Sequence, residues 1–266
     1  AGAGPWPPPR GRAMSGAGSG EGSGAGWIAV AGLGPGDVRL LTPEVAAALA
    51  EATDVVGYAP YVARVEPRPG LTLHASDNRV ERERAALALR LAAAGARVVV
   101  VSSGDPGVFG MAAAVLEVVE QTGADPDLRI LPGITAMLAA AARAGAPLGH
   151  DFCAINLSDN LKPWEVVERR LRLALEADFA VALYNPRSRA RPGQFGRALA
   201  ILREGAGPDR LVIFARAVST PAETLTCVPL AEARPEMADM RTVVIVGPSA
   251  HRRAGRWIYT PRGALP

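Results

Sequence analysis

Cysteine, lysine, histidine and aromatic side chains are all scarce in this 266-residue chain. The two cysteines, Cys153 and Cys227, lie far apart with no Cys-x-x-Cys spacing, so neither a disulfide framework nor a zinc cluster is expected. So few thiols fit a reducing compartment, and a cytoplasmic location is expected. Long apolar runs are missing as well. The longest, residues 134–142, is about half of the roughly 20 residues that a bilayer crossing needs, so no membrane partner is expected. The beginning of the chain lacks a charged-then-apolar signal, which gives no support for export. His74 and His251 are isolated and read as surface residues, and no metal site is expected.

Lysine occurs once, at Lys162, so nearly all of the 29 Lys and Arg residues are arginine. A GC-rich genome would produce this bias. A surface for a polyanionic ligand would use it, because guanidinium pairs carboxylates in a two-pronged fashion. The arginines are scattered rather than run together, which argues against a nucleic-acid partner.

Nearly half of the chain is apolar, chiefly Ala, Val and Leu, enough for a sizeable core. Residues 1–26 are Gly, Ala, Pro and Ser with almost nothing bulky to bury, and are expected to be disordered, with Met14 a candidate start. Beyond them, strand-like runs at 27–31, 54–56, 97–101 and 128–131 alternate with helical stretches at 43–52, 79–94, 110–121 and 134–144. This is the spacing of strand–helix–strand units and of a mostly parallel sheet. Thr42 before Pro43 marks one helix start, and Asn78 with Glu81 reads as a capping box at another.

The segment Gly145–Phe152 breaks the rhythm with glycines and a proline. A second set follows, with strands at 153–157, 179–184, 211–215, 224–227 and 242–246 and helices at 163–176 and 194–204. Trp164, Val167, Leu171 and Leu175 fall on one helical face. The expected organisation is an N-terminal α/β domain over 27–146, a C-terminal α/β domain over 147–248 with another mostly parallel sheet, a cleft between them, and a tail over 249–266.

Three glycine-rich turns follow three strands of the first half. In Gly32-Leu-Gly-Pro-Gly-Asp37 the third glycine comes one residue too early for a dinucleotide fingerprint and Pro35 stiffens the loop, so it reads as a projecting turn. No Gly-Lys-Ser/Thr occurs, which excludes a P-loop. In Ser102–Met111, Gly104, Gly107 and Gly110 leave backbone open to a flat ligand, and Asp105 is either a ligand contact or a helix cap. Pro132–Ala136 repeats the theme, with Thr135 placed to cap the next helix. All three turns are expected at one edge of the sheet.

The motifs GLGPGD (32–37), LLTPE (40–44), SSGDPGVFGMA (102–112) and PGITA (132–136) resemble the tetrapyrrole methylase family. VVGYAPYV (55–62), SDN (76–78), GAPLGHDF (145–152), LSDNLKPW (157–164) and YNPRS (184–188) are similar to its ring-contracting branch in corrin biosynthesis. The resemblance covers roughly residues 27–248. It implies that family's two-domain fold rather than a Rossmann methyltransferase. It also implies S-adenosyl-L-methionine as methyl donor, S-adenosyl-L-homocysteine as product, a small-molecule tetrapyrrole substrate and a homodimer. The donor would lie in a trough between the domains, against Pro35, Gly104, Asp105, Val108, Thr135 and Ala136, and against Asn185, Ala217 and Thr242.

Carbon 17 of such a macrocycle is already enamine-like, so methyl transfer needs positioning more than a base. Ring contraction by analogy does need a base, for which Asp37 and the His150–Asp151 pair are the candidates. Tyr58, Tyr61, Asn78 and Tyr184 are the candidate substrate contacts, and Arg79, Arg82 and Arg84 either bind carboxylates or form a solvated helix face. The alternatives are a cobalt-containing substrate of the oxygen-independent route, or a relative acting on RNA or protein.

Overall fold

The computed structural model describes residues 26–78 and 80–263. All but the last residue of the expected disordered segment, Met14 included, lies outside the described residues, as does Arg79. The chain divides into two compact units.

The first unit comprises residues through 34 and 38–133. Its elements are β1 (Trp27–Gly32), α1 (Pro43–Glu51), β2 (Asp54–Tyr58), α2 (Ala59–Val62), β3 (Thr72–Ser76), α3 (Glu81–Ala93), β4 (Arg97–Ser102), α4 (Met111–Thr122) and β5 (Asp127–Leu131). The five strands form one wholly parallel sheet in the order β3-β2-β4-β1-β5. Successive side chains of a strand point to opposite faces. Ala29, Ala31, Val55, Val99 and Val101 therefore pack on one face with α1 and α2. Ile28, Val30, Val56, Val98 and Val100 pack on the other with α3 and α4. Being covered on both faces explains the unbroken apolar runs of these strands. Thr42 caps α1 as expected, its hydroxyl accepting the Val45 amide at 3.3 Å with Pro43 at the first turn.

Two details of this unit differ from expectation. Strand β3, at the sheet edge, is not among the expected strands, because Thr72, His74 and Ser76 make one of its faces polar. The capping box does not form: Val80 occupies the N-cap of α3 with no side-chain cap bond, and the Asn78 amide instead donates to Asp77 Oδ1 at 2.7 Å.

The second unit comprises residues 35–37 and 134–266. It holds α5 (Ala136–Ala144), β6 (Gly145–Ala146), β7 (Phe152–Asn156), α6 (Trp164–Glu176), β8 (Ala180–Tyr184), α7 (Gln194–Gly205), β9 (Leu211–Arg216), β10 (Thr224–Pro229), β11 (Thr242–Val246), β12 (Arg252–Ala254) and β13 (Trp257–Tyr259). Sequence rhythm places α5 in the first domain. The structure places it here, because Ala139, Ala140 and Ala144 pack on Ile213, Ala215, Val243 and Ile245 of the second sheet.

That sheet runs β10-β9-β11-β8-β7 and corrects the expectation of mostly parallel strands. Only β7 and β8 are parallel; β11 runs against both β8 and β9, and β10 against β9. The cause is the connections. Parallel neighbours need a crossover of a dozen or more residues, usually a helix. A helix separates β7 from β8, but only a short turn separates β9 from β10. The face opposite α5 packs on α6 and α7, with the Trp164, Val167, Leu171 and Leu175 stripe in its core.

The expected tail is a folded element. Strands β12 and β13 form a hairpin, β13 pairs with β6, and Ile258 is buried among the alanines of α5. Among the described residues no helix is long and apolar enough to cross a membrane.

Candidate active site

In a parallel sheet, ligands bind beyond the carboxyl ends of the strands, where the connections of two neighbours leave in opposite directions. In the first unit those neighbours are β1, whose chain continues to α1 on one face, and β4, whose chain continues to α4 on the other. The first two glycine turns leave from these two strand ends, and the third leaves from β5 on the other side of β1.

The three turns touch through their main chains. Gly34 and Gly104 exchange both amide–carbonyl bonds, at 3.1 and 2.9 Å, and the Leu33 amide reaches Ser102 O at 2.8 Å. A methyl group on Gly133 would lie 2.1 Å from Gly104 O and 2.8 Å from Gly32 O; one on Gly32 would lie 2.5 Å from Gly104 O. Only hydrogen fits at these positions. Asp105 staples the same assembly: its Oδ1 accepts the Gly107 amide at 2.8 Å and its Oδ2 the Gly133 amide at 3.0 Å. The helix-cap role read for Asp105 does not appear, since Gly110 holds the N-cap of α4; the carboxylate instead clasps two turns. Val108 follows it, half-buried, its amide on Asp105 O at 3.3 Å.

Arg64 completes the cluster and carries no sequence signal. Its guanidinium donates to Leu33 O at 2.5 Å and Gly34 O at 3.2 Å, fixing the first turn from a point some thirty residues away. Tyr58 and Tyr61 stand at the same edge in a T-shaped pair, centroids 5.3 Å apart. Burial, with Tyr58 as the second cause, raises the Tyr61 phenol, which therefore stays neutral. Arg84 is neither a solvated face nor an open binder. It is buried at 4% exposure, holds Ser76 Oγ at 2.7 Å and Asp77 O, and lies over the Tyr58 ring. Arg82 meets Gln121, and Asn78 is exposed beside Asp77.

In the second unit one sheet edge gathers most of the expected residues. Register pairs Asn156 with Tyr184, Leu183 with Val244, and Arg216 with Thr242, so Asn156, Asn185, Ala217 and Thr242 share that edge. Asn185 has φ +52°, a left-handed conformation that asparagine tolerates, and donates to Asn156 Oδ1 at 3.0 Å. Ala217 (φ +49°) and Ser219 (φ +62°) are both left-handed in the turn after β9. The Ser219 hydroxyl is buried with no hydrogen-bond partner among the described residues. Next to it, a methyl on Gly36 would come within 2.6 Å of Ser219 O, which seats the 35–37 tip bearing Pro35 and Asp37 against this turn.

Thr242 exchanges hydrogen bonds with Asp239 at 2.9 and 3.1 Å. Burial alone would raise the Asp239 carboxyl, but bonds from Arg216, the Arg241 amide and Thr242 outweigh it and hold it below the ordinary range. Thr135 sits at the N-cap of α5 without a cap bond of its own. The Tyr184 hydroxyl does that work: it accepts the Met137 amide at 2.9 Å and lies 2.6 Å from Thr135 Oγ1. Ala136 follows at the first helical position.

His150 and Asp151 stand apart from this edge. They pair with each other at 3.4 Å, exposed, just before β7, where Asp151 O accepts the Ala180 amide at the start of β8. A strand length, roughly 16 Å, separates them from Asn156 at the other end. Of the three base candidates, Asp37 alone sits on one of the glycine turns. His74 and His251 are not simple surface residues either: His74 pairs with Asp54 at 2.7 Å, and His251 is tucked against Gly247 with Nε2 3.1 Å from Pro147 O. No cluster of three metal-ligating side chains occurs among the described residues.

A parallel first sheet with three interlocked glycine turns, followed by a mixed second sheet, defines the class. The profile of the Tetrapyrrole (Corrin/Porphyrin) Methylases matches residues 28–234, and the chain belongs to that family. Among its relatives, the precorrin-3B C(17)-methyltransferase of Sinorhizobium sp. is 54% identical over 88% of this chain and 95% of its own length. A probable cobalt-factor III C(17)-methyltransferase of Salmonella typhimurium is 40% identical over 89% of this chain and 98% of its own. The crystal structure of the methyltransferase CobJ superposes with a TM-score of 0.87 at 67% identity, covering 89% of this chain and all of that one.

Proposed function

We propose that this chain is an S-adenosylmethionine-dependent methyltransferase of cobalamin biosynthesis, methylating precorrin-3B at carbon 17 with contraction of the ring. The observation that carries the reading is the 54% identity along 95% of a precorrin-3B C(17)-methyltransferase. The 40% identity to the cobalt-factor III enzyme makes a cobalt-containing substrate the second reading.

The chain's own groups suit a donor of this kind. Both Asp105 oxygens keep lone pairs beyond the two backbone bonds they accept, and the buried Ser219 hydroxyl has no partner among the described residues. The proposed donor contacts are Pro35, Gly104, Asp105, Val108, Thr135, Ala136, Asn185, Ala217 and Thr242, to which Ser219 is added. Tyr58, Tyr61, Asn78 and Tyr184 are proposed to meet the macrocycle; Tyr184 can do so only through its ring, since its hydroxyl is engaged.

S-adenosylmethionine, when bound, supplies an electrophilic methyl group on sulfur. The residues here orient rather than activate. A main-chain cluster that cannot rearrange fixes one reactant against the other, and positioning of this sort is worth effective molarities on the order of 10⁵–10⁸ M. Asp37, half-buried at the tip of the first turn, is proposed to take the hydroxyl proton released during contraction. The homodimer and the cytoplasmic location stay part of the proposal.

The test is incubation with methyl-labelled S-adenosylmethionine and precorrin-3B in parallel with cobalt-factor III. Label in a contracted, metal-free ring is expected. Label only in the cobalt compound would establish the second reading, and label in neither would overturn both.

A further inference from the structure

Arginine side chains in this chain mostly have visible employment. Arg143, Arg172, Arg210 and Arg216 pair with carboxylates. Three others, Arg187, Arg189 and Arg241, converge on one groove of about 440 Å³ in the second unit, a size typical of small-molecule sites. No carboxylate pairs with any of the three among the described residues. The rest of the lining includes Pro192, Ala238 and Met240, an apolar surface between the cations. The single acid in the groove, Asp239, is already neutralised by Arg216 at 2.8 Å.

The groove is built rather than incidental. Arg191, buried at 7% exposure, lies beneath it and donates to Asn185 O at 3.3 Å while its other arm reaches Met240 Sδ at 3.5 Å. It thereby ties together the two loops that carry the cations. Ser188 and Arg191 close the first loop with reciprocal backbone bonds of 3.2 Å. The groove begins two positions after Asn185 and ends next to Thr242, both proposed donor contacts.

We infer that this groove is the carboxylate-binding subsite for the substrate, taking acetate and propionate arms of the tetrapyrrole on Arg187, Arg189 and Arg241 and one macrocycle edge on Pro192 and Met240. The inference rests on the proposed function and deepens it, because it names the residues that distinguish a polycarboxylate from an apolar ring. Burying a carboxylate there without a cation would be costly, and guanidinium is suited to hold it by paired bonds.

The experiment uses the full chain and two air-stable probes, the octacarboxylate uroporphyrin and the dicarboxylate mesoporphyrin, titrated by fluorescence quenching. Uroporphyrin is expected to bind more tightly than mesoporphyrin, and more weakly as salt is raised. The double variant Arg187→Gln with Arg241→Gln should lose about tenfold or more in uroporphyrin affinity and gain a similar factor in KM for precorrin-3B. Its calorimetric affinity for S-adenosylhomocysteine should stay within about twofold of wild type, which also reports that it is folded. Should that variant lose donor binding, Arg189→Gln alone carries the comparison. Active wild type with an unchanged KM in a folded variant overturns the subsite and leaves the function standing. Wild type that transfers no methyl to either substrate overturns the function, and the subsite with it.

Discussion

At the scale of single residues, the first sheet's edge is governed by what Gly32 and Gly133 lack. Gly133→Ala forces a methyl into Gly104 O, and because both partners are backbone, strain of about 1–3 kcal/mol is expected with loss of donor binding. Thermal melts and calorimetry with S-adenosylhomocysteine check both effects. Asp105→Ala removes the acceptor of two amides and is expected to lower stability by about 1–2 kcal/mol as well as donor affinity. Asp105→Asn, which keeps one acceptor oxygen, should recover part of each. Full stability in Asp105→Ala would show that the clasp contributes nothing. Glycine spacing made these turns legible because the need for a bare α-carbon is a local property. Arg64, whose partners are carbonyls remote in sequence, left no trace there. The same holds for the distance between His150 and Asn156: linear proximity of His, Asp and Cys in 150–153 says nothing about which end of a strand they occupy.

At the scale of elements, helices with amphipathic stripes and strands buried on both faces were legible almost to the residue, as α6 and β4 illustrate. What escaped were elements whose stability comes from pairing rather than composition: the edge strand β3, the two-residue β6 and the hairpin β12–β13. Strand sense in the second sheet escaped for a related reason, since it depends on connection length and not on the strands. The start of α5 shows a cap supplied by a residue distant in sequence. Tyr184→Phe leaves the Met137 amide without its acceptor and is expected to cost about 1–2 kcal/mol, measurable by chemical denaturation. An unchanged midpoint would mean that Thr135 takes over the amide.

For the whole molecule, acid sensitivity follows from His251, Asp178 and Asp239, of which only Asp239 borders the proposed site. Burial lowers the His251 imidazole, opposed by its bond to Pro147 O. An unfolded histidine titrates near 6.5, so between that value and the lower folded one the unfolded chain binds the extra proton and stability rises with pH. Stability is therefore expected to be full above about pH 7 and to fall as pH drops through 6.5. Asp178 and Asp239, both held below the ordinary carboxylate range against the effect of burial, lose their contribution only in stronger acid, below about pH 4. Denaturation midpoints at neutral and mildly acidic pH, in wild type and His251→Phe, separate the two. The variant should lose the slope that sets in below 6.5 and keep the one below about 4; an unaltered slope below 6.5 would assign it elsewhere.

A grip fashioned from peptide groups has no rotamers to freeze, so its shape is set at folding and is indifferent to most of the alphabet around it. Saturation mutagenesis scored by turnover should leave near-empty columns at 32 and 133. A designer wishing to redirect the enzyme to another macrocycle can then rewrite side chains outside the Asp105 clasp, provided those two hydrogens stay where they are.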